Sequence, residues 1–218
     1  MMKIILSYYE SRLRKRGQKL LIKARYKQAF RCFSKALKIN ESPENQFHLG
    51  LTLLSLQRYV EAETLFRIVK KRMPENEINI ISLGESLMMQ RKWDDAANCY
   101  TELVKGSPRG TAFQSILNIA EDVALREKYV RSRELIAQAQ TAVKDNHLDE
   151  AITLLHQARE YQPQNPTILH NIASILRLQK KFPEALPFIQ QAIKLDPQNM
   201  KFQNNLLLIQ RKIKKNGS

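Results

Sequence analysis

The chain has 218 residues, with 36 Lys and Arg against 21 Asp and Glu, and 43% of its residues are apolar. That is enough apolar content for a buried core, while no run reaches the eighteen or so residues that a membrane-crossing helix needs. Two cysteines exclude a disulfide-framework protein, and a formal net charge of +15 favours an acidic partner over a basic one.

From the N-terminus, residues 2–24 read as one helix, with Ile5, Tyr9, Leu13 and Leu20 expected on its buried side. The opening MMKIILSYYESRLRKR places its charge after a brief apolar run and shows no small-residue cleavage site, which argues against a secretory signal. Residues 1–40 hold twelve Lys and Arg and a single acid, Glu10, whereas residues 41–199 are close to neutral. The expected basic patch is Arg12, Arg14, Lys15, Arg16, Lys19, Lys23, Lys27 and Arg31. Two readings of it stay open: a solvated terminal cap, or a contact with nucleic acid, an acidic protein tail or an anionic membrane, nucleic acid being the less favoured. Arg16 stands where corresponding segments place Leu49, Leu83, Gln138 and Ile172.

The segment Gly84 to Pro108 has the form of two short helices joined by a tight turn around Trp93. Gly84 and Ala96 are expected where the two helices come closest, and Pro108 stops the second. The same grammar occurs five times. A small residue is followed twelve residues on by Ala at Gly17–Ala29, Gly50–Ala62, Gly84–Ala96, Ala139–Ala151 and Ala173–Ala185. Four residues beyond each Ala stands Phe33, Phe66, Tyr100, Leu155 or Ile189; seven beyond, Ala36, Val69, Leu103, Ala158 or Ala192. Pro74, Pro108, Pro163 and Pro197 follow at twelve, and only the first copy departs, with Glu41 there. An aromatic residue or Leu precedes each Ala by three: Tyr26, Tyr59, Trp93, Leu148 and Phe182. The Ala positions are 33, 34, 55 and 34 residues apart, so the third interval contains an insert.

This period and residue set resemble the tetratricopeptide repeat family over roughly residues 10–199, the insert excepted. The resemblance implies an all-α fold: a right-handed superhelical solenoid of antiparallel helix hairpins, with five repeats, an inserted helix and a C-terminal capping helix. The organisation expected is 1–110 for the basic helix and repeats one to three, 111–131 for the insert, and 132–218 for repeats four and five with the cap. Within the insert, Phe113, Ile116, Ala120, Val123 and Leu125 have helical spacing. No Gly or Pro lies between 111 and 162, so the insert is expected to run unbroken into repeat four, ending near Asn146. The alternative is a bend near Lys128–Ser132. Phe202, Leu206, Ile209 and Ile213 mark 200–215 as the amphipathic cap.

Catalytic chemistry is not legible. The four His are scattered, no glycine-rich phosphate loop occurs, and no nucleophile has a base beside it. No enzyme activity, metal or cofactor is expected. The acid pairs Asp94–Asp95 and Asp149–Glu150 fit helix N-termini, and Trp93 fits packing better than a ligand platform.

By the resemblance, the first helices of the repeats line a concave groove that holds a protein ligand. Counting from each small residue, the first repeat contributes Arg14, Gln18 and Leu21. The other groove candidates are Phe47, Leu51, Leu54, Ile81, Glu85, Met88, Ile136, Gln140, Val143, His170, Ser174 and Arg177. Phe47, Leu51, Leu54, Ile81 and Met88 suit an amphipathic helix or apolar segment better than the carboxylate clamp of chaperone-binding family members. The leading expectation is a non-catalytic adaptor or assembly scaffold with a protein partner, self-association included. The alternatives are recruitment through the basic end and a helper role in a secretion, pilus or envelope enzyme system. A cytoplasmic location, peripheral to a membrane under the second reading, is expected.

Overall fold

The structure is a computed structural model that describes residues 2–216. Among the described residues there are twelve α-helices, one short 3-10 helix at Gly110–Phe113 and no strand. The helices pair as antiparallel hairpins, and the chain divides into two compact units, one up to Arg126 and one from Glu127 onward.

The first unit contains α1 (Met2–Ile22) and α2 (Tyr26–Ile39), α3 (Pro43–Ser55) and α4 (Tyr59–Arg72), then α5 (Glu77–Met89) and α6 (Trp93–Gly106). The insert supplies the 3-10 helix and α7 (Gln114–Glu121), both of which pack on α6. The boundary between the units falls within α8 (Val123–Lys144). The second unit continues with α9 (Leu148–Tyr161), α10 (Pro166–Leu178), α11 (Phe182–Leu195) and α12 (Met200–Asn216).

The repeat grammar maps directly onto this architecture. Tyr26, Tyr59, Trp93, Leu148 and Phe182 are the first residues of α2, α4, α6, α9 and α11. Pro74, Pro108, Pro163 and Pro197 each stand two residues past the end of a second helix, because the residue before proline is driven out of the helical region. The five second-helix alanines, Ala29, Ala62, Ala96, Ala151 and Ala185, are all completely buried. Ser42, Asn76 and Asn165 cap α3, α5 and α10 through their side-chain oxygens, and Pro43 and Pro166 open α3 and α10.

Each hairpin turn has the same construction. One residue sits in the left-handed region: Ala24, Gln57, Arg91, Asn146 or Lys180, with φ between 53° and 64°. In each turn two amides reach back into the first helix, as when Arg58 N donates to Leu53 O (2.9 Å) and Gln57 N to Leu54 O (3.0 Å). This is a Schellman motif, which satisfies the orphan carbonyls of the helix end. No glycine occupies any of the five left-handed positions.

A Cβ added at Gly84 would meet the Tyr100 ring at 2.7 Å, and one added at Gly17 or Gly50 would meet the ring of Phe33 or Phe66 in the same way. In the second unit the rings are replaced by Leu155 and Ile189, and the glycines by Ala139 and Ala173. The small residue is matched in size to the side chain it meets.

Several expectations are corrected. The insert does not run unbroken into repeat four, nor does the chain bend at Lys128–Ser132. The helix stops at Glu121, and Asp122 caps α8 by accepting from Ala124 N (2.7 Å) and Leu125 N (3.2 Å). That stop resets the helical phase: Val123 is exposed, while Leu117, outside the expected stripe, is buried beside Ala120. Ile5 and Tyr9 are exposed rather than buried, at 61% and 49%. By Glu10 the helix has drawn level with Asn40 and Asn45, beyond the last residue of α2, which leaves Ile4, Ile5 and Tyr8 exposed while Tyr9 is partly covered at the seam with α2.

Arg16 has an account as well. Leu49, Leu83 and Ile172, at the equivalent place, are buried, whereas Arg16 and Gln138 are exposed. Both exposed residues lie in the first hairpin of their unit, where no earlier hairpin within the unit covers that side. In the second unit, Phe202 and Ile209 of α12 join the core and Leu206 and Ile213 pack against it, which gives α12 the expected amphipathic character.

Candidate functional surfaces

Two surfaces were expected, a face formed by first helices and a basic patch, and the two units differ in how far the first-helix residues are covered. In the first unit, α3 and α5 present Phe47, Leu51, Leu54, Ile81 and Glu85, all half-buried. Phe47 is held by ring contacts with Phe66 (6.1 Å between centroids) and His48 (5.7 Å). Leu51, Leu54 and Ile81 retain apolar surface facing outward, with Leu21 of α1 in the equivalent register. Met88 does not belong to this face. It is 0% exposed, because α5 is enclosed by α3, α4 and α6.

The first-repeat end of the face is polar and already committed. Arg14 pairs with Glu44 and with Glu10 (3.4 Å), and Gln18 Nε2 lies 2.9 Å from His48 Nε2. The only acid in the first forty residues, Glu10, is therefore a buried structural group; Asn45 Nδ2 donates to it at 2.8 Å. Burial, then the charge of Arg14, lowers the pKa of His48, so it is neutral at pH 7.

In the second unit the candidates are mostly occupied. Ile136 is 3% exposed and part of the core. Asn205 of α12 accepts from Arg177 Nε (2.8 Å) and donates to Ser174 Oγ (3.0 Å). The His170 ring stacks on Phe202 at 4.8 Å. Burial, with Lys201 and Arg177 nearby, pushes the His170 pKa down to about 4. The capping helix thus holds His170, Ser174 and Arg177, leaving Gln140 exposed and Val143 half-buried. Such engagement has no signal in the repeat pattern, because the sequence marks α12 as amphipathic without saying which polar groups it meets.

The cations of the expected basic patch are carried by two helices. Arg12, Lys15, Arg16 and Lys19 line one hollow on α1 with Tyr8 and Ser11. Arg16 and Arg31 also line the seam between α1 and α2, with Leu13, Leu20, Cys32 and Lys35. Lys23 and Lys27 are exposed near the α1–α2 turn. Arg14 is corrected out of the patch, since it faces α3 and pairs with Glu44.

The second helices carry ion pairs that the repeat pattern does not reveal. Glu63, nearly buried on α4, accepts from Arg67 (2.8 Å), Lys92 (2.7 Å) and Gln90 (2.8 Å). Burial pushes its carboxyl up, and these hydrogen bonds outweigh that and hold it below the usual range. Arg67 continues to Asp95 (2.7 Å) and Lys70 to Glu102 (2.5 Å), so Asp95 has a partner beyond the α6 terminus. Arg126 lies over the Trp93 ring at 5.4 Å, which accounts for the tryptophan as packing. Cys32 and Cys99 are both buried free thiols. Among the described residues no group of three His, Cys, Asp or Glu could hold a metal ion.

Comparison with known proteins finds the tetratricopeptide repeat family model over residues 136–199. No curated protein matches the chain. Among solved structures, MamA of AMB-1 is similar at 18% identity and a TM-score of 0.48, covering 88% of this chain and 94% of that one. TTC0263, a thermophilic tetratricopeptide protein of Thermus thermophilus, is similar at 20% identity and a TM-score of 0.39, covering 92% and 98%. The TPR2AB domain of yeast Sti1, solved with an HSP90 peptide, is similar at 14% identity and a TM-score of 0.46, covering 96% and 86%.

Proposed function

We propose, taking as premise that the chain is a tetratricopeptide repeat protein, that it is a non-catalytic adaptor binding a protein segment on the first-helix face of its first unit. The observation that carries this reading is the outward apolar surface of Leu51, Leu54 and Ile81 on α3 and α5. A strip of aliphatic side chains on adjacent helices suits the apolar side of an amphipathic helix or an extended apolar segment. The polar boundary formed by Arg14, Glu44, Gln18 and His48 would limit how far that segment runs toward α1. In the second unit, α12 engages the matching residues of α10, so the binding role falls to the first unit.

The test is affinity capture with the whole chain beside a Leu51→Asp/Ile81→Asp variant. Both positions are half-exposed, so the variant is expected to fold, which circular dichroism and the melting temperature check. A partner retained by the native chain across a range of salt and lost by the variant supports the reading. A partner held equally by both chains overturns it.

A further inference from the structure

The first turns of α1 present a sequence of surfaces that neither the repeat pattern nor the groove explains. Ile4, Ile5 and Leu6 are exposed on one turn and Tyr8 and Tyr9 on the next, and these residues point around the helix rather than to one side. Ile4, Ile5 and Tyr8 are the most exposed, whereas Leu6 and Tyr9 are partly covered and Tyr9 reaches the seam with α2. Arg12, Lys15, Arg16 and Lys19 follow on the exposed side of the same helix, and none of them has an acidic partner among the described residues. The single acid of this region, Glu10, is turned inward to Asn45 and Arg14, so it offsets nothing at the surface.

Apolar, then aromatic, then cationic is the order of layers met from the hydrocarbon edge of a bilayer outward to its headgroups. Aliphatic side chains gain by leaving water, tyrosine favours the interface, and Lys and Arg bind anionic headgroups. The aliphatic-to-aromatic stretch Ile4–Tyr9 rises by about 8 Å at helical pitch, the depth of a shallow interfacial insertion. No described helix is long and apolar enough to cross a membrane, so the contact is with one surface. We infer that the N-terminal end of α1 is an interfacial anchor, with Ile4–Tyr9 inserting into an anionic membrane surface and Arg12, Lys15, Arg16 and Lys19 binding its headgroups. A nucleic-acid backbone would use the cations but leave the five apolar side chains in water. A protein tail would need no such axial order. The anchor is independent of the groove on α3 and α5.

The test is flotation of the full chain with phosphatidylcholine vesicles, with and without phosphatidylserine. Binding is expected only where phosphatidylserine is present, and it weakens as salt rises. Ile5→Ser/Tyr9→Ser and, separately, Arg12→Glu/Lys15→Glu/Lys19→Glu are each expected to reduce partitioning by at least about tenfold. Lys71→Glu/Lys105→Glu, exposed cations on α4 and α6, and Leu51→Asp on the groove leave it unchanged. The altered side chains are exposed or half-exposed, and thermal melting confirms folding.

The inference is overturned by absence of partitioning onto anionic vesicles, or by equal partitioning onto neutral ones. It is also overturned if Ile5→Ser/Tyr9→Ser binds as well as the native chain, which leaves a contact made by the cations alone with no insertion. A self-association lost in that same variant, with no vesicle binding, overturns it in favour of a second copy of the chain.

Discussion

A methyl group placed on Gly50 would stand 2.6 Å from Cε1 of Phe66, a ring that is itself completely buried. The same relationship joins Gly17 to Phe33 and Gly84 to Tyr100. Where the ring is absent, as at Leu155 and Ile189, the facing residue is alanine. Each hairpin therefore solves one volume problem: glycine with a ring, or alanine with a branched aliphatic chain. Close packing leaves no slack for both to be large.

Gly50→Ala is accordingly expected to cost about 1–3 kcal/mol, the range for overpacking a buried site. Combining it with Phe66→Leu recreates the Ala139–Leu155 arrangement, so the double variant is expected to lose less than the two single losses added together. Denaturant melts of the four chains in this cycle give the coupling, and strict additivity would contradict the account.

The five left-handed turn residues are all non-glycine, and each bears the steric cost of its own Cβ. Ala24→Gly removes that cost at a position with no side chain to lose, with partial offset from the greater freedom of glycine in the unfolded chain. A gain of about 0.5–1 kcal/mol is expected, measured as a raised unfolding midpoint. A loss would show that the turn is less strained than its backbone angle indicates.

Glu63 accepts from Arg67 on its own helix and joins α4 to the α5–α6 turn through Gln90 and Lys92. Its folded-state pKa is depressed, so its contribution is present above its unfolded value near 4.5 and disappears as pH falls through the lower folded value. Glu63→Gln is expected to cost about 1–3 kcal/mol at neutral pH. The gap between native and variant midpoints should narrow below about pH 4.5. A gap that stays constant down to about pH 3 would remove the carboxylate from the account.

His170 works in a different window. Its pKa falls to about 4 in the folded chain, so the folded state prefers the neutral ring. Its stabilisation is complete above the unfolded value near 6.5 and declines as pH drops from there toward 4. His170→Phe keeps an aromatic ring against Phe202 and cannot titrate. The variant is expected to flatten the pH dependence of the second unit's melting between 6.5 and 4, and an unchanged profile would refute the assignment.

Hairpin positions were legible in the amino-acid pattern because burial imposes a residue type locally. Ala29, Ala62 and Ala96 must be small, and a proline must stop the helix two residues past its end. The stop at Asp122 was not read from the sequence, where no Gly or Pro marks it; the carboxylate that caps the next helix is evident only in the structure. The groove residues were read less well. Met88 and Ile136 occupy the same register as half-exposed neighbours, and register alone does not say how many helices surround a given turn.

The sequence by itself determined the five helical hairpins, the proline stops after four of them, and the concentration of positive charge chiefly at one end. All of these follow from contacts within about 34 residues or from composition, where chain connectivity fixes which groups meet. Only the tertiary structure decided which surfaces remain open. It turned Glu10 and Arg14 inward, gave Ser174 and Arg177 to Asn205, and left Ile4, Ile5 and Tyr8 largely exposed. Exposure depends on what lies on the far side of a residue, and a one-dimensional pattern records only the side that its own helix packs.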